Sequence, residues 1–171
     1  MATDITKYPL SGLEMEQLNP DAKILNYTQL YDYNNVKQLF GKYKKLIILY
    51  LIQNKHSGHW TCLFKNKSGI HFFDSYGVPV DYELEALTTA QRPQHLHEEQ
   101  DYLKQLLANK NVTFNHIIYQ KPHTATCGCF VTHRLHNYLI DGNKYLNFFL
   151  DNKLDPDKYV AEYCFKKLNY I

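Results

Sequence analysis

The sequence predicts an α+β fold: a mixed sheet of about four or five strands with helices packed around it. Three observations predict it. Lys45 to Ile52 is nearly continuous in apolar residues, as a central strand covered on both faces would be. His59 to Phe64 and Ile70 to Phe73 read as the arms of a hairpin turning at Asn66-Lys67-Ser68-Gly69. Around them, stretches of helical period start at recognisable caps and stop at Gly or Pro. The 171 residues fit one domain spanning 1–171, long enough to bury roughly two thirds of its unfolded surface.

Taken in order, Ser11-Gly12-Leu13-Glu14 has capping-box spacing and predicts a short helix to Leu18, stopped by Asn19-Pro20. An extended piece follows at Lys23 to Tyr27. A second short helix runs from about Asn34 to Phe40 and closes on Gly41 as a left-handed cap. After the central strand, Asn54 to Gly58 reads as a polar loop leading into the hairpin. Beyond Gly77-Val78-Pro79, two helices are expected near Tyr82 to Thr89 and His97 to Asn109, separated by Arg92-Pro93. Val112 to Tyr119 is rich in apolar, β-branched and aromatic residues, as a buried strand is. Phe130, Val131, Leu135, Tyr138 and Leu139 then recur at helical spacing until Asp141-Gly142. A helical run at Lys144 to Leu150 precedes a final helix opened by Asp155-Pro156, a cap residue followed by Pro at the first position.

Composition narrows the function classes. A net charge of +2 is too mild to argue for nucleic acid, and Lys42, Lys44 and Lys45 read as a solvated face. The first residues lack the charged segment and apolar run of a signal peptide. Leu46 to Ile52 is too short to span a bilayer. Four cysteines, at 62, 127, 129 and 164, form no regular framework, which fits free thiols in a reducing, intracellular compartment.

The chemistry gathers around Cys127, which falls where a loop opens a helix. Unpaired N–H groups and the positive end of the helix dipole favour an anion there, and a thiol so placed has its pKa lowered toward the reactive thiolate. Pro122 and Gly128 shape the loop on either side. In the hairpin, pairing Phe64 with His71 sets Tyr76 opposite His59 and makes Asp74 its diagonal neighbour, ~7–8 Å away. Asp74 then accepts from one imidazole nitrogen while the other faces the thiol, the arrangement of a nucleophile, a base and the group that orients the base. Gln120, at the end of the strand before the loop, can aim its amide where a carbonyl oxygen becomes negative. The Cys127 N–H is a second donor to that oxygen.

The plainer readings are these. Cys62 and Cys164 read as small buried apolar residues. Cys129, two positions past Cys127, is rotated about 200° and points into the core. His123, Cys127, Cys129 and His133 do not have a familiar zinc spacing, so no metal is expected. The other histidines read as surface or satisfied core residues. Gln120 alone is also consistent with an ordinary strand-end amide, and Asp74-Ser75 with the start of a turn. Their order and spacing together carry the argument.

Gly58-His59-Trp60 on a strand, Phe73-Asp74-Ser75-Tyr76-Gly77 after the next, and Gln120 ahead of Cys127-Gly128 at a helix head resemble the adenovirus-type and SUMO-protease-type cysteine peptidases, clan CE. The resemblance covers roughly Leu46 to Ile140. The seven-residue step from Gln120 to Cys127 looks like the adenovirus form, and Asp-x-Tyr-Gly is similar to proteases of large DNA viruses, virophages and related transposons. It implies the papain-like, adenain-like fold and a thiol endopeptidase that trims capsid precursors at small, Gly-containing sites during virion maturation. In that reading His59 is the general base, Asp74 its orienter, Gln120 an oxyanion donor and Cys127 the nucleophile. Gly58, Trp60 and Gly128 contact substrate, with Trp60 walling a narrow channel. The alternative it implies is a ubiquitin- or SUMO-like isopeptidase acting on host proteins. It calls for no cofactor, leaves room for DNA or a peptide as activator, and suggests a monomer, not membrane-bound, in the virion or the host cytoplasm.

Overall fold

Both faces of the chain from Lys45 onward are apolar, and the fold buries both. In this computed structural model, which describes residues 3–54, 57–85 and 101–171, Leu46, Ile48 and Tyr50 enter one core while Ile47 and Leu49 enter another. The period-two alternation of a strand makes this possible, and each large apolar side chain fully buried contributes ~1.5–3 kcal/mol. The strand is β2 (Lys45–Asn54), with β1 (Lys23–Asn26) parallel beside it and β3 (Ser57–Asn66) antiparallel on the other side. Next come β4 (Gly69–Phe73), antiparallel to β3, and β5 (Val112–Phe114), parallel to β4. The sheet is therefore mixed, five-stranded and ordered as the chain runs.

Helices cover both faces. The first face takes α1 (Gly12–Leu18), α5 (Cys127–His136), α6 (Gly142–Asp151) and α7 (Pro156–Lys167). The second takes a 3-10 segment at Tyr27–Asp32 with α2 (Val36–Phe40), α3 (Tyr82–Glu85) and α4 (Tyr102–Leu106). The caps predict the starts well. Ser11 and Glu14 form a reciprocal capping box, α2 ends on Gly41 at φ +55, and Asp155 caps α7 with Pro156 at its first position. Among the described residues no helix is long and apolar enough to cross a membrane.

The structure corrects the sequence in four places. The strand expected over Val112 to Tyr119 stops at Phe114, because its partner β4 ends at Phe73 and offers no further ladder. Ile117 and Ile118 are exposed, and only Tyr119 returns to the core. Asn54, Ser57 and Gly58, expected in a loop, belong to the strands, with the β2–β3 register shifting between Tyr50 and Asn54. Helix α5 stops at His136, short of Tyr138 and Leu139. Its end is closed by Asn137 Nδ2 donating to His133 O and by Arg134 donating to the carbonyls of Asn137 and Ile140, which leaves Leu139 exposed. The helix expected to run to Asn109 ends at Leu106 in α4, with Asn109 at φ +63; the helix before it is represented by α3, and residues 86–100, with the rest of that helix, Arg92-Pro93 and the start of the second, lie outside the described residues.

Candidate active site

The hairpin register puts the first two polar groups together. Phe64 pairs with His71 as the sequence predicts, and Cys62 with Phe73. The chain past β4 then lays Tyr76 over His59, rings stacked at 5.1 Å between centroids and 25° apart. Asp74 is fully buried and His59 nearly so. His59 Nε2 meets Asp74 Oδ1 at 3.0 Å, and the same oxygen accepts from the Tyr76 N–H at 2.8 Å. Asn115 holds the main chain at this point, its Oδ1 accepting from Asp74 N at 3.1 Å and its Nδ2 donating to Asp74 O at 2.6 Å. Gly58 is required just before His59, since a Cβ there would lie 2.7 Å from Leu49 Cδ1 and 2.8 Å from Tyr50 O.

Cys127 is the first residue of α5 and half-buried. With Nε2 engaged by Asp74, it is Nδ1 of His59 that is left for the sulfur. Burial raises the Cys127 pKa, but the hydrogen bond and charge of His59, with the N–H groups of Trp60 and Gly128, outweigh it and hold the thiol below its ordinary value. Burial lowers His59 in turn, while the hydrogen bonds to Asp74 and Cys127 carry it well above an ordinary histidine. The two shifts favour a thiolate–imidazolium pair. Cys129 faces the core and is pushed up by its contact with Cys164 and by burial, and burial likewise raises Cys62.

The loop before Cys127 is gripped by α7. Asp157 Oδ2 accepts from Lys121 N at 3.0 Å, and its Oδ1 accepts from the hydroxyls of Thr124, at 2.9 Å, and Thr126. Lys121 Nζ lies 2.7 Å from Asp155. From the other side Ala125 N donates to Thr6 O at 2.7 Å. Gln120 is buried in the irregular segment after β5, not at a strand end; its Oε1 accepts from Ser75 Oγ at 2.7 Å and its Nε2 donates to Thr124 O at 3.1 Å.

His59, Gln120 and Cys127 open onto one cleft of about 370 Å³, with Gly58, Trp60 and Tyr76 in its walls. Pro9 to Gly12 form another wall, and Leu10 O accepts from the Trp60 indole at 3.1 Å. Gly128 does not line the cleft. It lies behind it, where a Cβ would sit 3.0 Å from Met15 Sδ and 3.1 Å from Trp60 Cδ1. The residues singled out from sequence as chemical, 59, 74, 120 and 127, thus come together. Sequence reasoning missed Ser75, Asn115, Asp157 and the Pro9–Gly12 wall. Only Asn115 left a signal, as a polar residue interrupting an apolar run.

His123, Cys127, Cys129 and His133, whose spacing is not a familiar zinc pattern, do not form a cluster: among the described residues no group of three or more His, Cys, Asp or Glu is placed to hold a metal. His133 instead pairs through Nδ1 with Tyr145 Oη at 2.9 Å, and burial lowers it to about 4.

No protein-family model matches the chain. Over 169 residues it is 30% identical to the "Uncharacterized protein V9" of Sputnik virophage, a match covering 91% of this chain and 93% of that protein.

Proposed function

The chain belongs to one family with the Sputnik virophage protein V9, and from that premise we propose that it is a virus-encoded cysteine endopeptidase that trims capsid or other structural precursors. One observation carries the reading: the His59 imidazole lies between the buried carboxylate of Asp74 and the sulfur of Cys127, at the wall of an open cleft.

The chemistry follows from that placement. The Cys127 thiolate attacks the scissile carbonyl carbon, a C–S bond forms, and the carbonyl π electrons move onto oxygen. Gln120 Nε2 and the Cys127 N–H are the donors to that oxyanion, and losing one such donor typically costs ~3–4 kcal/mol of barrier. Collapse breaks the C–N bond as the imidazolium Nδ1–H gives its proton to the departing amine, leaving a thioester on Cys127. Water then attacks the thioester with Nδ1 as base. The acid is released and the thiol restored. Asp74 keeps the ring in the orientation and tautomer that both steps need. Trp60 and the segment around Leu10 wall the cleft, and the resemblance to clan CE peptidases implies a small residue, Gly above all, beside the scissile bond.

The test is to incubate the protein with the structural proteins encoded beside its gene and sequence the new N-termini, with a peptide vinyl sulfone labelling Cys127 in parallel. New termini next to small residues, lost in Cys127→Ala, are expected. Unaltered cutting by Cys127→Ala overturns the reading. Release of a ubiquitin-like modifier with the precursors left intact keeps the chemistry but replaces the substrate class.

A further inference from the structure

Given the reading of Gln120 as an oxyanion donor, on which this inference rests, we propose that Ser75 is the positioning residue that holds the Gln120 amide with its nitrogen toward the cleft. The two ends of a glutamine amide have nearly the same shape and opposite chemistry. Turned one way, Gln120 offers an N–H to a developing negative oxygen; turned the other, it offers an oxygen that repels it.

The Thr124 carbonyl, which can only accept, chooses between these states, and the Ser75 hydroxyl, which can give or take a hydrogen bond, secures the one chosen. Ser75 is fully buried and its hydroxyl donates to Gln120 Oε1 at 2.7 Å, so the oxygen end is occupied away from the cleft. Nε2 spends one hydrogen on Thr124 O at 3.1 Å and keeps the other for the cleft that Gln120 lines. A flipped amide would set Oε1 against the Thr124 carbonyl, acceptor against acceptor, inside a buried site where unmade hydrogen bonds are costly. The Ser75 carbonyl also accepts from both Tyr119 N, at 2.9 Å, and Gln120 N, at 3.1 Å, so one residue fixes the main chain and the side chain of Gln120. Its neighbour Asp74 fixes His59. The dipeptide Asp74-Ser75 thereby aligns the base and the oxyanion donor from a single point of the backbone.

Ser75→Ala removes the hydroxyl and keeps both main-chain bonds. Its kcat is expected to fall about tenfold with KM within about twofold, the pattern of an interaction made only in the transition state. The pH profile of Cys127 alkylation is expected to stay unchanged, because the thiolate does not depend on Gln120. In a Gln120→Ala background the same substitution is expected to cost nothing more, since residues acting through one another are not additive. A readout free of activity is the pair of Gln120 side-chain amide protons in ¹⁵N NMR, slow to exchange in the wild type and faster in Ser75→Ala. The proposal is overturned if Ser75→Ala keeps its full cost beside Gln120→Ala, or leaves the Gln120 amide signals unmoved. A wild-type protein that cuts nothing overturns the peptidase reading instead, and the NMR comparison still decides the orientation.

Discussion

Asp74 and Asp81 are close in the chain and equally shut away from solvent, yet they keep different company. Asp74 faces a titratable imidazole that in turn faces a thiol on a cleft. Asp81, at φ +62, accepts from the Tyr50 hydroxyl at 2.7 Å and from Lys104 N at 2.8 Å. Burial raises the Asp81 carboxyl to about 6, against the pull of those hydrogen bonds. It ties α4 to β2 on the far side of the sheet. A buried carboxylate, then, is not itself a mark of chemistry. A partner that can take up and release a proton beside open space is.

The hardest blow to that contrast is removal of the proposed nucleophile. Cys127→Ala is expected to lower turnover of a precursor-derived peptide by at least ~10⁴-fold, against no more than ~2-fold for Asp81→Asn in the same assay. Next is Asp74→Asn, which keeps the shape but loses the charge that supports the imidazolium, and should lower kcat by ~10²–10⁴-fold with little change in far-UV circular dichroism. Comparable losses for Asp74→Asn and Asp81→Asn would erase the distinction.

A pH profile sharpens it. The proposed activity is expected to rise as pH passes the Cys127 pKa, which is held below the ordinary 9.0, and to fall as pH passes that of His59, which is held well above the ordinary 6.5. The plateau is expected to cover neutral pH, and Asp74→Asn should move its alkaline limb downward. Rates of Cys127 alkylation against pH measure this directly.

The smallest effect lies on the far face. The folded pKa of Asp81 is raised from 3.8 to about 6, so between those values the native state holds a proton that the unfolded chain has released. Stability therefore falls as pH rises through that window and levels off above it, by about 3 kcal/mol in all. Urea unfolding from pH 4 to pH 7 should show a shallower decline in Asp81→Asn than in the wild type.

What the sequence makes legible follows from locality. Caps, a two-residue hairpin turn and the alternation along β2 are short-range signals, and they foretell α1, α7, the hairpin register and hence the meeting of His59, Asp74 and Tyr76. The extent of β5 is not local, because it depends on where β4 ends. Composition alone made Ile117 and Ile118 look buried when they are exposed. Asp157 likewise looks like one more acidic residue in a helix's first turn. Its three bonds to the loop at Lys121, Thr124 and Thr126 come from a helix more than thirty residues away.

That loop is held from both directions, by Thr6 near one end of the sequence and by Asp157 far toward the other. A ribosome therefore delivers the sulfur long before it delivers the second grip. Until residue 157 has emerged and its helix has docked, Lys121, Thr124 and Thr126 lack their hydrogen bonds to Asp157. The sequence separation of the two grips means that any chain ending before residue 157 would keep only one of them, the hydrogen bond to Thr6 O.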